Sequence, residues 1–335
     1  MNVLVAGGAG YIGSHAVKQL VEAGHRVVVV DNLCRGHAAA VPRGIELATL
    51  DLRDTAELAE LMRARRIDTV MHFAALAYVG ESMAAPLGYY ENNTAGTVRL
   101  LRAMRAAGVF RMVFSSTCAT YGEPETVPID ETCPQRPINP YGWSKLFVER
   151  ILDDYSAAEP AFSFAALRYF NVAGAAADGS IGEDHHPETH LIPAAILSVL
   201  ERRPPLTVFG QDYPTADGTC VRDYIHVDDL CAAHLRAMSA LRDGRRLIYN
   251  LGIGRGYSVA EVISAVERVS GRAVPRTYGP RRAGDPAVLF ANSAKIRQEL
   301  GWSPNYTEID AIVETAWRWF RDHPNGYAPP AAKPH

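Results

Sequence analysis

Tyr141-Gly-Trp-Ser-Lys145 is the pairing in this sequence with the most chemistry in reach. A free phenol, with a pKa of ~10, is a poor base at neutral pH. On a helix, side chains four residues apart share one face, and an ammonium at that distance favours the phenolate. Bringing the phenol near neutrality takes about three units, or ~4 kcal/mol, which two cations in a partly dry site can supply. Such a base removes the proton of an alcohol while a hydride leaves its carbon. Tyr-x-x-x-Lys arises often by chance, so its meaning depends on the elements that would hold it.

Those elements begin at once. Asn2-Val-Leu-Val-Ala6 is an apolar run leading into Gly7-Gly-Ala-Gly10-Tyr-Ile-Gly13. An amphipathic stretch from Ser14 to Ala23 follows, then a second apolar run, Arg26-Val-Val-Val-Val-Asp31. Strand, glycine turn, helix and a strand ending in an acid compose the dinucleotide-binding βαβ unit. The glycines let the backbone turn tightly and approach a pyrophosphate lying on the helix N-terminus. Asp31 is placed to accept hydrogen bonds from the adenosine ribose and to repel a 2′-phosphate, which predicts NAD rather than NADP. Oxidised nicotinamide then supplies the second cation near Tyr141.

The alternation of strand and helix continues. Strands are predicted at Ile45 to Leu50, Thr69 to Ala74, Met112 to Ser116 and Ser163 to Arg168, with helices at Thr55 to Arg66, Tyr89 to Ala107 and around Tyr141. This pattern predicts an α/β fold, a Rossmann-type doubly wound parallel sheet with helices on both faces. Sites in such sheets lie beyond the carboxyl ends of the strands. Asp31, Asp51, Phe73 to Leu76, Ser115 to Thr117 and Tyr169 to Asn171 all fall at such ends. After Asn171 the chain turns Gly-, Asp- and His-rich, without periodicity to His190, which predicts a substrate loop. The expected division is residues 1–172, with roughly 220–255, as the NAD-binding domain. Residues 173–219 and 256–327 would form a smaller α/β substrate-binding lobe, and 328–335 a flexible tail.

Composition sets limits. The chain has 335 residues, 48% hydrophobic and 21% charged, enough for a sizeable core. A net charge of −3 gives no reason to expect nucleic acid or an anionic membrane as a partner. Met1 runs straight into the first strand, and no apolar stretch is long enough to span a bilayer. Five scattered cysteines without Cys-x-x-Cys spacing read as free thiols in a reducing cytosol, so the expected location is cytoplasmic.

Taken together, the motifs resemble the extended short-chain dehydrogenase/reductase superfamily and, within it, the UDP-glucose/UDP-galactose 4-epimerases. The resemblance runs from Asn2 to about Tyr327. It is carried by the glycine loop, Asp31-Asn32-Leu33, His72-Phe-Ala-Ala, Tyr90-Glu-Asn92-Asn93, Ser115-Ser-Thr117, Arg168-Tyr-Phe-Asn171, Arg222-Asp-Tyr-Ile-His226 and Gly279-Pro-Arg-Arg282-Ala-Gly-Asp285. It implies reversible 4-epimerisation through a 4-keto sugar, with NAD retained throughout. Catalytic roles would fall to Tyr141, Lys145 and Thr117, the last a Thr where the family usually has Ser. Cofactor contacts would come from Gly7, Gly10, Tyr11, Ile12, Gly13, Asp31, Asn32, Asp51, Leu52, Phe73, Ala74, Ala75, Asn92, Ser115, Tyr141, Lys145 and Tyr169.

The UDP-sugar would be met by Thr117, Tyr141, Asn171, His190, Leu191, Thr207, Val208, Phe209, Arg222, Arg282, Asp285 and Leu289. Arg222 and Arg282 suit the diphosphate because a guanidinium fork matches phosphate oxygens, and Asp285 would take the uridine ribose. The resemblance also implies a homodimer through paired helices, Thr94 to Ala107 with the Tyr141 helix. Ala77 stands where some members carry a Lys, and His190 where an Asn is common. Leu289 occupies the position linked to acceptance of N-acetylated sugars, and its intermediate size leaves that pair open beside glucose and galactose. The stretch Ser115 to Gly122 also resembles relatives acting on UDP-pentoses.

Three rival readings conflict with the residues present. A 4,6-dehydratase would carry Asp-Glu after Thr117, where Cys118-Ala119 stand. A non-catalytic NAD-binding scaffold would be expected to lose the Tyr or the Lys. In Asp184-His-His-Pro-Glu-Thr-His190, His186 and His190 have i,i+4 spacing, but Pro187 breaks the helix that would unite them. No metal is expected there.

Overall fold

Val3 to Ala6 and Val27 to Val30 are buried on both of their faces. Strands of that kind need a helical layer above and below. A computed structural model, which describes residues 1–282 and 285–327, supplies both.

In chain order the elements are β1 (Asn2–Ala6), α1 (Tyr11–Glu22), β2 (Arg26–Val30), β3 (Glu46–Ala48), α2 (Thr55–Ala64) and β4 (Thr69–His72). Next come α3 (Val79–Ala84), α4 (Pro86–Tyr89), α5 (Gly96–Ala107), β5 (Arg111–Thr117), α6 (Pro140–Ala158), β6 (Ser163–Tyr169) and β7 (Asn171–Ala173). The chain continues through α7 (Leu191–Val199), β8 (Leu206–Phe209), β9 (Val221–Arg222), β10 (Tyr224–His226), α8 (Val227–Ala240) and β11 (Arg246–Leu251). It ends with β12 (Tyr257–Ser258), α9 (Val259–Ser270), β13 (Arg276–Gly279), β14 (Val288–Leu289), α10 (Ala294–Leu300) and α11 (Ile309–Asp322).

Seven parallel strands lie in the order β11-β6-β5-β4-β1-β2-β3, the predicted doubly wound sheet. On one face α2, α5 and α6 bury Leu58, Leu100 and Leu152 against Leu4, Val70 and Phe114. On the other, α1 and α8 bury Val17, Leu20 and Leu230 against Val5, Val113 and Leu167. A separate core gathers Ile192, Ile196, Val262, Ile312 and Trp319.

The chain crosses between lobes more than once. β11 pairs with β6 along its whole length, from Arg246 beside Phe164 to Leu251 beside Tyr169. β9, in contrast, pairs with β12 and β14 on the side of the second lobe. The expected tail at 328–335 lies outside the described residues. Among the described residues no helix is long and apolar enough to cross a membrane.

One predicted element is corrected. The helix expected from Tyr89 to Ala107 opens with a π-turn over Tyr90–Ala95, closed by the Gly96 N–H bonding the Glu91 carbonyl. Its cause is competition for backbone and side-chain partners: the Thr97 hydroxyl takes the Asn93 carbonyl at 2.6 Å, while the Asn93 side chain bonds Leu76 and Ser144. Single π-turns of this kind mark functional sites more often than ordinary helix does.

Candidate active site

The glycine loop comes first. Gly7 turns at φ +81°, and a Cβ on it would strike the Ala74 backbone, so both the turn and the close approach require glycine. A Cβ on Gly13 would strike the Gly7 carbonyl. Gly10 differs, because a Cβ there would meet only the Gly7 oxygen, at 3.4 Å. Gly10 caps α1, whose first turn has no acidic residue and no side-chain cap. Free N–H groups at the positive end of a helix, beside uncrowded backbone, are what a pyrophosphate needs.

Asp31 is buried, and its carboxylate accepts the Ala9 N–H at 3.0 Å and the Leu33 N–H at 2.9 Å, fixing the acid against the loop. Asn32 donates to Asp51 at 2.7 Å, and the Arg53 guanidinium holds the Asp51 carboxyl far below the usual carboxylate range. Leu52 packs near Gly96. Phe73 and Ala74 both donate their N–H to the Ala6 carbonyl, and Ala75 follows them past the end of β4. Ile12 packs in the α1 core, while the Tyr11 hydroxyl donates to the Gly174 carbonyl at 2.6 Å. Loop, acid and strand end fit an adenine dinucleotide.

Tyr141 stands at the start of α6. Asn139 caps that helix by accepting the Gly142 N–H at 2.8 Å, and Pro140 occupies the first turn. Gly142 carries no Cβ because the Ala119 carbonyl lies against it, so α6 rests directly on the turn that follows β5. Tyr141, Lys145 and Thr117 are all buried. The Tyr141 phenol lies near the Thr117 side chain, whose oxygen accepts the Ala119 N–H at 3.1 Å. Beside them Ser115 and Tyr169 share a 2.6 Å hydroxyl contact, in strands that run in register from Ser115–Leu167 to Thr117–Tyr169.

The electrostatics differ from the simple expectation. Burial pushes the Tyr141 phenol well above its ordinary value, Tyr169 adds to the rise, and the Thr117 side chain opposes it. Burial also pulls the Lys145 ammonium down to about 7, against the opposing pull of Glu149. The Lys145 ammonium donates to the Ser115 carbonyl at 2.7 Å and lies 4.9 Å from the Phe114 ring centre. Its charge is therefore directed at the backbone of β5. Burial is thus the leading influence on the phenol in the protein alone, and the second cation expected beside it is the oxidised nicotinamide.

A framework absent from the sequence reading holds this helix. Asn93 bonds both the N–H and the carbonyl of Leu76 and donates to the Ser144 hydroxyl at 3.0 Å, tying the end of β4 to α6. Asn92 in turn donates to Asn93 at 2.9 Å. Further along α6, Glu149 and Arg168 form a buried pair at 2.6 Å, joined by Ser116, Gln135 and Tyr121. The signal for Glu149 was in reach. It follows Lys145 by four residues, as Lys145 follows Tyr141, so it lies on the buried face and needs a cation.

In the second lobe β8 pairs with β13, with Val208 buried and Thr207 exposed. The Arg282 guanidinium lies 4.1 Å above the Phe209 ring. Arg222 donates to Asp285 at 2.9 Å, and its register partner on β14 is Leu289, which packs beside Tyr121, Ile129 and Phe170. Arg281 turns away to pair with Asp212. Asn171 opens β7, its N–H bonded to the Asp223 carbonyl, and Leu191 opens α7. His190 has its Nδ1 2.8 Å from Glu183 and 2.9 Å from Glu188, so its ring is engaged within its own loop.

Known proteins resemble this chain over nearly all of its length. Residues 3–252 match the NAD dependent epimerase/dehydratase family. A UDP-glucose 4-epimerase of Lacticaseibacillus casei is 52% identical over 328 residues, covering 98% of this chain and 99% of that protein. The UDP-glucose-4-epimerase structure from Stenotrophomonas maltophila, with bound NAD and formylated UDP-arabinopyranose, superposes with a TM-score of 0.94 at 44% identity, covering 97% of this chain and 99% of the other. The Brucella ovis UDP-glucose 4-epimerase in complex with NAD gives a TM-score of 0.91 at 48% identity, covering 94% and 96%.

Proposed function

Because this chain belongs to the NAD dependent epimerase/dehydratase family, we propose that it interconverts UDP-glucose and UDP-galactose by inverting C4 of the sugar. The observation that carries the reading is the buried hydroxyl pair of Tyr141 and Thr117 at the carboxyl end of β5, one helical turn from Lys145. Held by the glycine loop, Asp31 and Lys145, bound NAD would supply reversible hydride transfer at C4, by which the hydrogen could be removed from one face and restored to the other. Tyr141 takes the proton of the 4-hydroxyl and gives it back on the return step. Thr117 holds the same oxygen as a preorganised polar partner. Lys145 binds the nicotinamide ribose, and Asp31 the adenosine ribose. The N–H groups from Gly10 to Gly13 receive the pyrophosphate.

On the sugar-nucleotide side, Arg222 and Arg282 grip the diphosphate, about which the keto sugar turns over. Asp285 takes the uridine ribose, Thr207 to Phe209 meet the uracil, and Asn171 and Leu191 border the diphosphate. Leu289 is shorter than a Tyr and leaves space at the sugar, which also favours some activity on UDP-N-acetylhexosamines.

The working unit is a homodimer through the paired helices Thr94 to Ala107 and α6, with the neighbouring α3 and α4 at the border of the contact. Val79, Met83 and Leu87 of α3 and α4, with Trp143 and Phe147 of α6, are the large apolar side chains exposed on this side. Trp143 and Phe147 have ring centres 5.6 Å apart and so form one patch. Patches of that kind mark interaction sites. All five cysteines are unpaired, which suits a reducing cytosol.

The test is direct. Purified protein incubated with UDP-glucose and no added cofactor should form UDP-galactose, and denaturation should release NAD. A strict need for stoichiometric external NAD would replace this reading with a plain dehydrogenase.

A further inference from the structure

We propose that Glu183, His185, Glu188 and His190 form a binding site for one first-row divalent cation of the Zn²⁺ type. His186, spaced i,i+4 from His190, is turned outward, its side chain 84% exposed. The loop instead turns His185 inward beside His190, their ring centres 5.3 Å apart.

One ligand atom from each of the four residues lies within 4.8 Å of all the others. The separations are 3.0 Å and 3.7 Å from the His185 Nδ1 to Glu183 and Glu188, and 2.8 Å and 2.9 Å from the His190 Nδ1 to the same two carboxylates. Metal bonds of ~2.1 Å to nitrogen and oxygen give a tetrahedron with edges of about 3.4 Å. The observed spacings bracket that figure, so small side-chain movements complete the site.

One further observation points to a cation. The side chains of Glu183 and Glu188 are 3% and 7% exposed, yet one oxygen of Glu188 has no hydrogen-bond partner. A buried carboxylate oxygen without a partner is costly. A dication would answer both carboxylates at once, displacing the imidazole protons. Two imidazoles with two carboxylates suit Zn²⁺ and its neighbours better than Ca²⁺ or Mg²⁺.

The loop is already tethered to the glycine-loop lobe. The His37 Nε2 lies 2.9 Å from the Asp184 carbonyl, and Arg35 donates to the His186 carbonyl at 3.1 Å. His185 packs edge-on against both Tyr11 and Tyr78. A cation here would staple this strap together. The proposal does not rest on the epimerase reading: Glu183, His185 and Glu188 have no part in it, and the His190 ring, expected at the substrate, is engaged with Glu183 and Glu188.

The experiment titrates chelator-treated, NAD-loaded protein with Co²⁺ and then Zn²⁺. One equivalent of Co²⁺ should give the intense visible bands of a tetrahedral site, which Zn²⁺ should abolish by displacement. Glu188→Gln and His185→Ala, each checked for folding by near-UV dichroism, should lose the bands, while His186→Ala should keep them. Absence of saturable binding to the folded parent protein would overturn the proposal. Bands that persist in Glu188→Gln or vanish in His186→Ala would do the same.

Discussion

Lys145 and Ser115 are joined by a 2.7 Å hydrogen bond from the buried ammonium to a strand carbonyl. This bond anchors the middle of α6 to the end of β5 and keeps Lys145 dry. The folded pKa, about 7, lies below the ordinary 10.5. The unfolded chain therefore binds more protons across that window, and stability rises with pH through it. The cost of the buried ammonium is fully present below pH ~7 and fades towards pH ~10.

Lys145→Met should remove that cost. Relative to the parent, the variant should fare best in thermal melts at low pH and lose its advantage as the pH is raised above 9. An unchanged Tm difference between the two proteins at both ends of the range would show that Lys145 is not desolvated as described. Turnover should fall in the same variant, because the nicotinamide ribose loses its ligand.

Thr117→Val should lower kcat by about 10²-fold, the scale of losing one preorganised donor at a reacting oxygen, with KM little changed. Thr117→Ser should restore most of the loss. Steady-state kinetics on both variants separate hydroxyl from shape, and a Val variant as active as Ser would remove Thr117 from the chemistry.

Much of this site was legible because it is local. The glycine loop, the acid ending β2 and the Tyr-Lys spacing each occupy a few consecutive residues, so strand and helix periodicity places them. The π-turn was not legible, since it depends on Asn93 finding Leu76 and Ser144 across the fold. Nor was the direction of Lys145, which a carbonyl on another element decides. His185 and His186 are neighbours in sequence, and only the path of the loop determines which one faces Glu183 and Glu188. The strand β11 pairs with β6 far earlier in the chain, so its place at the sheet edge could be guessed only from its apolar character.

Arg168→Met should destabilise the protein by about 3–5 kcal/mol, because it strands the Glu149 carboxylate in the interior. The double variant Arg168→Met/Glu149→Leu should recover a large part of this. Urea unfolding of the three proteins measures both effects, and a single variant within 1 kcal/mol of the parent, a limit well below the ~3 kcal/mol expected, would show the pair to be solvated.

Leu289→Tyr should reduce turnover of UDP-GlcNAc more than that of UDP-glucose, since the ring fills space next to the sugar. Parallel kcat/KM values for both substrates check this. Equal losses would show that Leu289 does not gate substrate size.

The proton transfer itself is tested most directly by the turnover of NAD-loaded Tyr141→Phe. The account predicts that this variant keeps its NAD and its substrate affinity, while kcat falls by about 10²–10⁴-fold, the range for losing a positioned acid–base group. A kcat near that of the parent, with NAD still bound, would contradict the assignment of Tyr141 as the base.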